Sequence, residues 1–293
     1  MYNHFLNKIK FFLSNLSVIE VSSNSILKYG SDELNINSIF VKHHGFLQTS
    51  PEYEMKKLIS LCSSDIYQIC HVFRDKEKSF IHKKEFNMLE WYRIQYNHHI
   101  LMKEIDIFLQ NIIGSKPSKK ISYQNIFLKF LSIDLNKVKK NQLMDILKKY
   151  SISIDNKNYI EKNDILEILL ERIIAPNLGH KCPIFIYDYP LKQAILSRSN
   201  NKKKFVFGER FEIYIRGIEV GNGFYELKKY HENKQRSYFN NFMRTKMKKN
   251  VVKTDPLFFN AIKKKGLPNC SGVALGLDRL FMIYTKSINI KHV

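Results

Sequence analysis

One short run constrains this chain more than any other. Phe86, Met88, Glu90 and Tyr92 recur at every second residue. A period of two places all four side chains on one face of a β-strand, so a ring, a carboxylate and a phenol stand together there. The run belongs to FRDKEKSFIHKKEFNMLEWY, Phe73 to Tyr92, which reads as strand, basic loop, strand. Ile66–Arg74 and Glu85–Arg93 are predicted to pair antiparallel around the loop Lys76–Lys84. A second stretch, SGVALGLDRLFM from Ser271 to Met282, reads as a glycine-punctuated turn running into Leu277–Ile283. Gly272 and Gly276 remove Cβ where a backbone or a ligand must come close. Each stretch carries one arginine, Arg74 and Arg279. A planar guanidinium pairs with two phosphate oxygens and keeps its charge when buried, which suits a polyphosphate.

The chain has 293 residues, 44% of them hydrophobic, enough for a large buried core. No stretch approaches the roughly 18 consecutive apolar residues of a membrane span, and the N-terminus reads as an amphipathic helix and not a signal peptide. The 4 cysteines, Cys62, Cys70, Cys182 and Cys270, lack CxxC spacing. A reducing cytosol is the simplest reading, with no zinc site. The formal net charge is +21. An acidic partner would explain it, and so would the heavy use of Lys, Asn and Ile throughout. The charge is uneven, however: Lys228 to Lys265 holds 12 Lys or Arg against Glu232 and Asp255.

In chain order, Asn3–Leu13 reads as a helix and Val18–Val21 as a strand. Phe46–Thr49 reads as a strand feeding Ser50, Pro51 and Glu52, which suit the N-cap, first position and positive end of a helix. His98–Ile113 is predicted helical, with Ile105, Phe108, Leu109 and Ile112 on the core side. Residues 116–177 read as a helical insertion containing Gln142–Tyr150 and Asp164–Ile174, with loops at Ser118 and Asn136. Pro183–Tyr187, Arg210–Gly217 and Glu219–Glu226 read as strands, and Asn200–Lys204 as a basic turn. Lys234–Lys249 and Pro256–Ile262 read as helices.

The two opening stretches resemble motifs 2 and 3 of class II aminoacyl-tRNA synthetases. GIEVGNGFYEL (Gly217 to Leu227) and TSPEYEMKKL (Thr49 to Leu58) narrow the resemblance to the lysine-specific branch. Within that branch LPNCSGVALGLDRL is similar to the elongation factor P–(R)-β-lysine ligase family, because the synthetases usually have glycine where this chain has Ala274. The resemblance implies an α+β fold: an antiparallel sheet flanked by helices, with a helical insertion at about 116–177. It implies one catalytic domain over 1–293, without an anticodon-binding domain. The helix and strand at the N-terminus correspond to motif 1, the dimer-forming motif, so a homodimer is expected.

The same resemblance implies ATP and Mg²⁺ as cofactors. Arg74 would hold the α-phosphate and the substrate carboxylate, while His82 and Arg279 would grip the outer phosphates. Phe86 would stack on adenine. Asp75, Lys76, Lys83, Val220 and Gly276 complete the expected nucleotide pocket. Glu219, with Asn222, would hold the metal through oxygen, which a hard cation prefers. The amino groups of the substrate would meet Ser50, Pro51, Glu52, Glu90, Tyr92, Asn222 and Glu226, with Ala274 shaping the pocket wall. The chain departs from the family at motif 1, where Ser22 and Ser23 stand in place of the usual strand-ending proline, and in two further places. Its motif 2 reads Arg74-Asp75-Lys76-Glu77 where RNEE or RDEE is usual, and His82-Lys83-Lys84 where His-Asn-Pro is usual. The function so implied is cytoplasmic activation of (R)-β-lysine and its transfer to elongation factor P, an acidic partner for Lys228–Lys265, with tRNA not a substrate. A compact lysyl-tRNA-synthetase-like enzyme using α-lysine, or a non-catalytic paralogue that binds a nucleotide or partner, are the alternatives.

Overall fold

The computed structural model describes residues 1–75, 81–154, 160–200, 206–287 and 289–290. Lys76, and all of the turn Asn200–Lys204 except Asn200, therefore lie outside the described residues. The chain divides into two compact units, Met1–Gly114 with Gly223–Val293, and Ser115–Asn222.

In the first unit α1 (Tyr2–Asn15) leads to β1 (Ile19–Glu20), the helix-then-strand order expected. A small sheet follows from β2 (Ile26–Leu27), β3 (Phe40–Val41) and β4 (Gly45–Leu47). Next come α2 (Glu52–Cys62), β5 (Ile66–Phe73), β6 (Glu85–Ile94) and α3 (His98–Ile113). Asn97 caps α3 by accepting from Ile100 N at 3.0 Å, and Gly114 closes it at φ 66, the left-handed conformation that glycine adopts without a Cβ clash.

The second unit contains β7 (Lys119–Ser122), α4 (Tyr123–Leu131), α5 (Lys140–Lys149), α6 (Lys162–Leu169), β8 (Ile184–Pro190), β9 (Ser199–Asn200) and β10 (Phe207–Ile215). It ends within β11 (Ile218–Tyr225). The first unit resumes with α7 (Tyr230–Lys246), α8 (Pro256–Lys265), β12 (Cys270–Gly276) and α9 (Leu277–Tyr284). Among the described residues no helix is long and apolar enough to cross a membrane.

The sheet of the first unit runs β1-β5-β6-β12. β5 and β6 are the expected antiparallel pair, with Gln68 opposite Glu90 and Ile66 opposite Tyr92. β1 runs parallel to β5. Both faces of β6 are covered, so Met88 to Arg93 are all buried and no polar face alternates with an apolar one. On one face Trp91 packs on Phe108 at 5.5 Å and donates from Nε1 to Glu104 at 3.1 Å. On the other, Tyr92 joins Met55, Ile59, Phe258, Phe259 and Ile262 of α2 and α8. In the second unit the order is β11-β10-β8-β7, with β9 on β10. Tyr123, Phe127, Leu143, Leu147, Ile165 and Leu169 of α4, α5 and α6 share one core with Ile186 and Tyr189 of β8.

Several local expectations are corrected. Ser271 to Gly276 is not a turn but most of β12, in full antiparallel register with β6. Gly272 marks close packing between strands, not chain reversal, and Gly276 stands at the N-cap of α9. Ser118 lies in a loop as expected, but the next residues, Lys119–Ser122, form an unexpected strand parallel to β8. The helix expected to run to Ile174 stops at Leu169 and continues as a wider π-turn, Leu170–Ile174. The basic helix starts earlier, at Tyr230, and ends at Lys246. Pro51, not Ser50, takes the cap position of α2, while Ser50 Oγ accepts from Glu52 N at 3.0 Å.

Candidate active site

The first unit gathers its buried charges beneath β12. Two of the expected residues come from β6. Tyr92 donates its hydroxyl to Glu90 Oε1 at 2.6 Å, and Ser50 Oγ donates to Glu90 Oε2 at 3.0 Å. Both Glu90 and Tyr92 are buried. Burial, and then the charge of Glu52, push the Glu90 carboxyl up to about 8, against the hydrogen bonds from Tyr92 and Ser50 and the charge of Lys56.

A further residue came from outside the expected set. Lys56 lies four residues after Glu52, so both project from one side of α2. Its ammonium is hydrogen-bonded to Glu52 and stands 2.6 Å from Glu226 Oε2. The side chains of Lys56 and Glu226 are 3% and 1% exposed. Burial works against the charge on Lys56, but Glu226 and then Glu52 outweigh it and raise its pKa. Removing one partner of a buried ion pair of this kind typically costs about 3–5 kcal/mol, because the other charge is left unpaired. Glu226 is fixed through its backbone, its N–H donating to Cys270 O at 3.0 Å.

β12 forms the wall over these groups. Its register sets Gly272 opposite Tyr92, Ala274 opposite Glu90 and Gly276 opposite Met88. A Cβ on Gly272 would meet Tyr92 Cε1 at 2.3 Å and Glu226 Oε1 at 2.8 Å. This position was noted in the sequence for its missing Cβ, and the close approach is now explained: the Tyr92 ring lies against the backbone.

The residues expected at the phosphates lie at the ends of the same strands. Arg74 Nε donates to Thr49 O at 3.4 Å, and its guanidinium sits 5.2 Å from the centre of the Phe86 ring. The Phe86 ring, expected to stack on adenine, thus stands beside the Arg74 guanidinium. Asp75 pairs with Lys84 at 3.6 Å. Arg279 Nε donates to Ile81 O at 3.3 Å, just before His82. Lys83 Nζ stands 3.5 Å from Asp278 Oδ2, and Asn87 donates to Asp278 Oδ1 from N and from Nδ2, each at 3.2 Å. Asp278 thus ties the end of the basic loop and the start of β6 to the first turn of α9. Pro51 is buried at the start of α2.

Glu219, Val220 and Asn222 belong to the second unit. Val220 is buried, and the Oδ1 of Asn222 is buried with no hydrogen-bond partner among the described residues. A buried amide oxygen left without a donor is suited to a cation, so the residues present fit the expected Mg²⁺. Glu212, which the sequence reading passed over, is also buried in this unit. It is bound by Arg210, accepts from Tyr214 OH at 2.6 Å and accepts from Tyr189 OH at 2.5 Å. Burial lowers the pKa of Arg210, but Glu212 outweighs it, with Tyr189, Glu219 and Glu167 acting in the same upward direction. A carboxylate inside the apolar strand FEIYI was the signal available in the sequence.

A family model described as class II tRNA synthetases for D, K and N matches residues 3–293. An elongation factor P–(R)-β-lysine ligase of Buchnera aphidicola subsp. Schizaphis graminum is 41% identical over 280 residues, covering 95% of this chain and 85% of the relative. A protein of the same name from Pasteurella multocida is 34% identical, covering 94% of this chain and 87% of the relative. Another from Sodalis glossinidius is 38% identical, covering 85% and 76%.

Proposed function

We propose, for a chain that belongs to the class II tRNA synthetase family and within it to the elongation factor P–(R)-β-lysine ligases, that it activates (R)-β-lysine with ATP and transfers it to a lysine side chain of elongation factor P. One observation carries the reading furthest. The cluster beneath β12 already holds an alkylammonium, that of Lys56, between two carboxylates. The substrate's own amino groups are of the same chemical kind, and Glu90, Tyr92 and Ser50 stand in the same cluster.

The reaction proceeds in two steps. A carboxylate oxygen of β-lysine attacks the α-phosphorus of ATP, the bond to pyrophosphate breaks, and an acyl adenylate forms. The neutral ε-amine of the acceptor lysine then attacks the acyl carbon, AMP leaves, and the amine loses a proton. Negative charge grows on the phosphoryl oxygens in the first step, so fixed positive charge stabilises its transition state. Arg74 and Arg279 supply that charge, each held through Nε to a backbone carbonyl. Glu219 and Asn222 would hold Mg²⁺, which when bound neutralises phosphate charge. The amino pocket orients the substrate so that its carboxylate reaches the phosphate.

The acceptor would meet the basic stretch. Lys246 lies 4.6 Å from the centre of the exposed Phe242 ring, and Lys234 lies 5.7 Å from that of the exposed Tyr238. A cationic, aromatic helix face complements an acidic protein. A homodimer would use α1 and β1, where Phe11 and Ile19 are 68% and 55% exposed.

Pyrophosphate exchange with (R)-β-lysine and α-lysine side by side, followed by the mass of elongation factor P, tests the reading. Faster exchange with β-lysine and a β-lysyl adduct on the factor are expected. Preference for α-lysine together with charging of tRNA would overturn it, and so would the absence of both steps.

A further inference from the structure

Glu52, Glu90 and Glu226 bring three carboxylates into one cluster, Glu90 and Glu226 buried and the Glu52 side chain 16% exposed, and Lys56 is the cation hydrogen-bonded within it. Buried carboxylates persist in ionised form when each has a partner. Lys56 is not placed to leave on demand: it projects from the middle of α2, its side chain is 3% exposed, and two carboxylates hold it. Among the described residues, Tyr92 of β6 and Cys70 of β5 face the cluster, while Asp32, which also feels the charge of Glu52, is held by hydrogen bonds from Tyr53 and Ser237. Burial raises the pKa of Tyr92 and Cys70, so both stay neutral near pH 7. Ser50 contributes an uncharged donor. Glu90 keeps its proton in the empty cluster near pH 7 and ionises beside a ligand ammonium, so with a ligand bound three carboxylates face one resident ammonium and leave two negative charges for the ligand.

We propose that Lys56 is a specificity-determining residue, a resident third ammonium that sets the pocket to accept amino acids carrying two ammonium groups and to disfavour those carrying one. This rests on the reading of the pocket as the amino site. Full occupancy then pairs three carboxylates with three ammoniums, one of them the protein's own. A ligand with one ammonium leaves a buried carboxylate unpaired, and one with three cannot be matched.

Charge matching predicts that the effect of Lys56 changes sign with the number of carboxylates. In the full chain, Lys56→Met alone leaves an excess negative charge and should weaken (R)-β-lysine binding roughly 10²-fold by calorimetry, with ATP binding unchanged. Glu52→Gln alone leaves an excess positive charge and should weaken binding by about tenfold or more. Adding Lys56→Met to Glu52→Gln restores two carboxylates for two ammoniums, so the double variant should bind β-lysine more tightly than Glu52→Gln. A purely structural lysine would make the double variant weaker than Glu52→Gln, or would weaken ATP binding equally, and either result overturns the proposal. Where Lys56→Met does not fold, the Glu52→Gln pair gives the answer, since the double variant buries no excess charge. Wild-type protein that binds β-lysine but makes no adenylate overturns the functional reading and leaves the sign test standing. Wild-type protein that binds no diammonium amino acid overturns both.

Discussion

Gly272 and Tyr92 face each other across β12 and β6 so closely that an added methyl at 272 would lie 2.3 Å from Cε1 and 2.6 Å from Cδ1 of the ring. The ring is buried and its hydroxyl is committed to Glu90, so it has nowhere to retreat. The same methyl would press on Glu226 Oε1 at 2.8 Å. Gly272→Ala should therefore destabilise the fold by about 1–3 kcal/mol, as overpacked cores do. It should also displace at once two residues proposed for the amino pocket. Thermal unfolding and β-lysine titration should both show loss; unchanged affinity would place Tyr92 and Glu226 away from the ligand.

Glu90 predicts a proton coupled to binding. Its carboxyl ionises near 4.5 ordinarily and at about 8 in the folded chain. The folded state thus holds more protons between those values. Its contribution to stability is full below about pH 4.5 and is lost as the pH rises through about 8. A substrate ammonium beside Glu90 favours the ionised form, so binding should release a proton and tighten as the pH rises toward 8. The rise is at most about tenfold per pH unit for one proton. Calorimetry in two buffers of different ionisation heat measures the release, and Glu90→Gln should abolish it. Equal heats in both buffers for the wild type would contradict the coupling.

Arg74→Ala and Arg279→Ala should each lower adenylate formation by roughly 10²–10³ with the fold retained, by analogy with loss of a single transition-state hydrogen-bond donor. Pyrophosphate exchange is the measurement. Near-normal exchange in either variant would remove that arginine from the phosphate-binding set.

Not every charge in the basic stretch is available to a partner. Arg244 Nη1 donates to Glu33 O at 2.7 Å, and Lys249 Nζ to Leu34 O at 2.5 Å. These two hold the segment before β3 and are structural. Lys246, Lys263 and Lys264 are exposed. Reversing these three to Glu should slow transfer to elongation factor P and leave pyrophosphate exchange intact. The effect should shrink as salt rises, with screening over about 8 Å at physiological ionic strength. Normal transfer at low salt would assign the charge to residue usage and not to a partner.

The strands and helices that bear the site were legible where local pattern decides structure. The boundaries of α3 match its expected range, and β5 and β6 differ from theirs by a residue at one end each. What escaped depended on contacts distant in sequence. β12 looked like a turn because Gly272 and Gly276 bracket it, yet the glycines are there for the Tyr92 ring and the start of α9. Lys56 looked like one polar residue of an amphipathic helix. Its spacing of four from Glu52 was visible, but Glu226 stands 170 residues later (226 − 56) and only folding brings it to 2.6 Å. Ser50 was read as a helix cap; its second bond, to Glu90, needed the tertiary structure.

The single tryptophan of the chain sits between Glu90 and Tyr92 in sequence but on the opposite face of β6, sealed from water and bonded to Glu104. Trp91 is thus a built-in fluorophore one peptide unit from the proposed amino pocket and screened from any ligand in it. Its emission should be blue-shifted in the native state and should move to the red on denaturation. A spectral change on adding β-lysine would report that β6 itself shifts, because no ligand atom in the pocket can reach the indole directly.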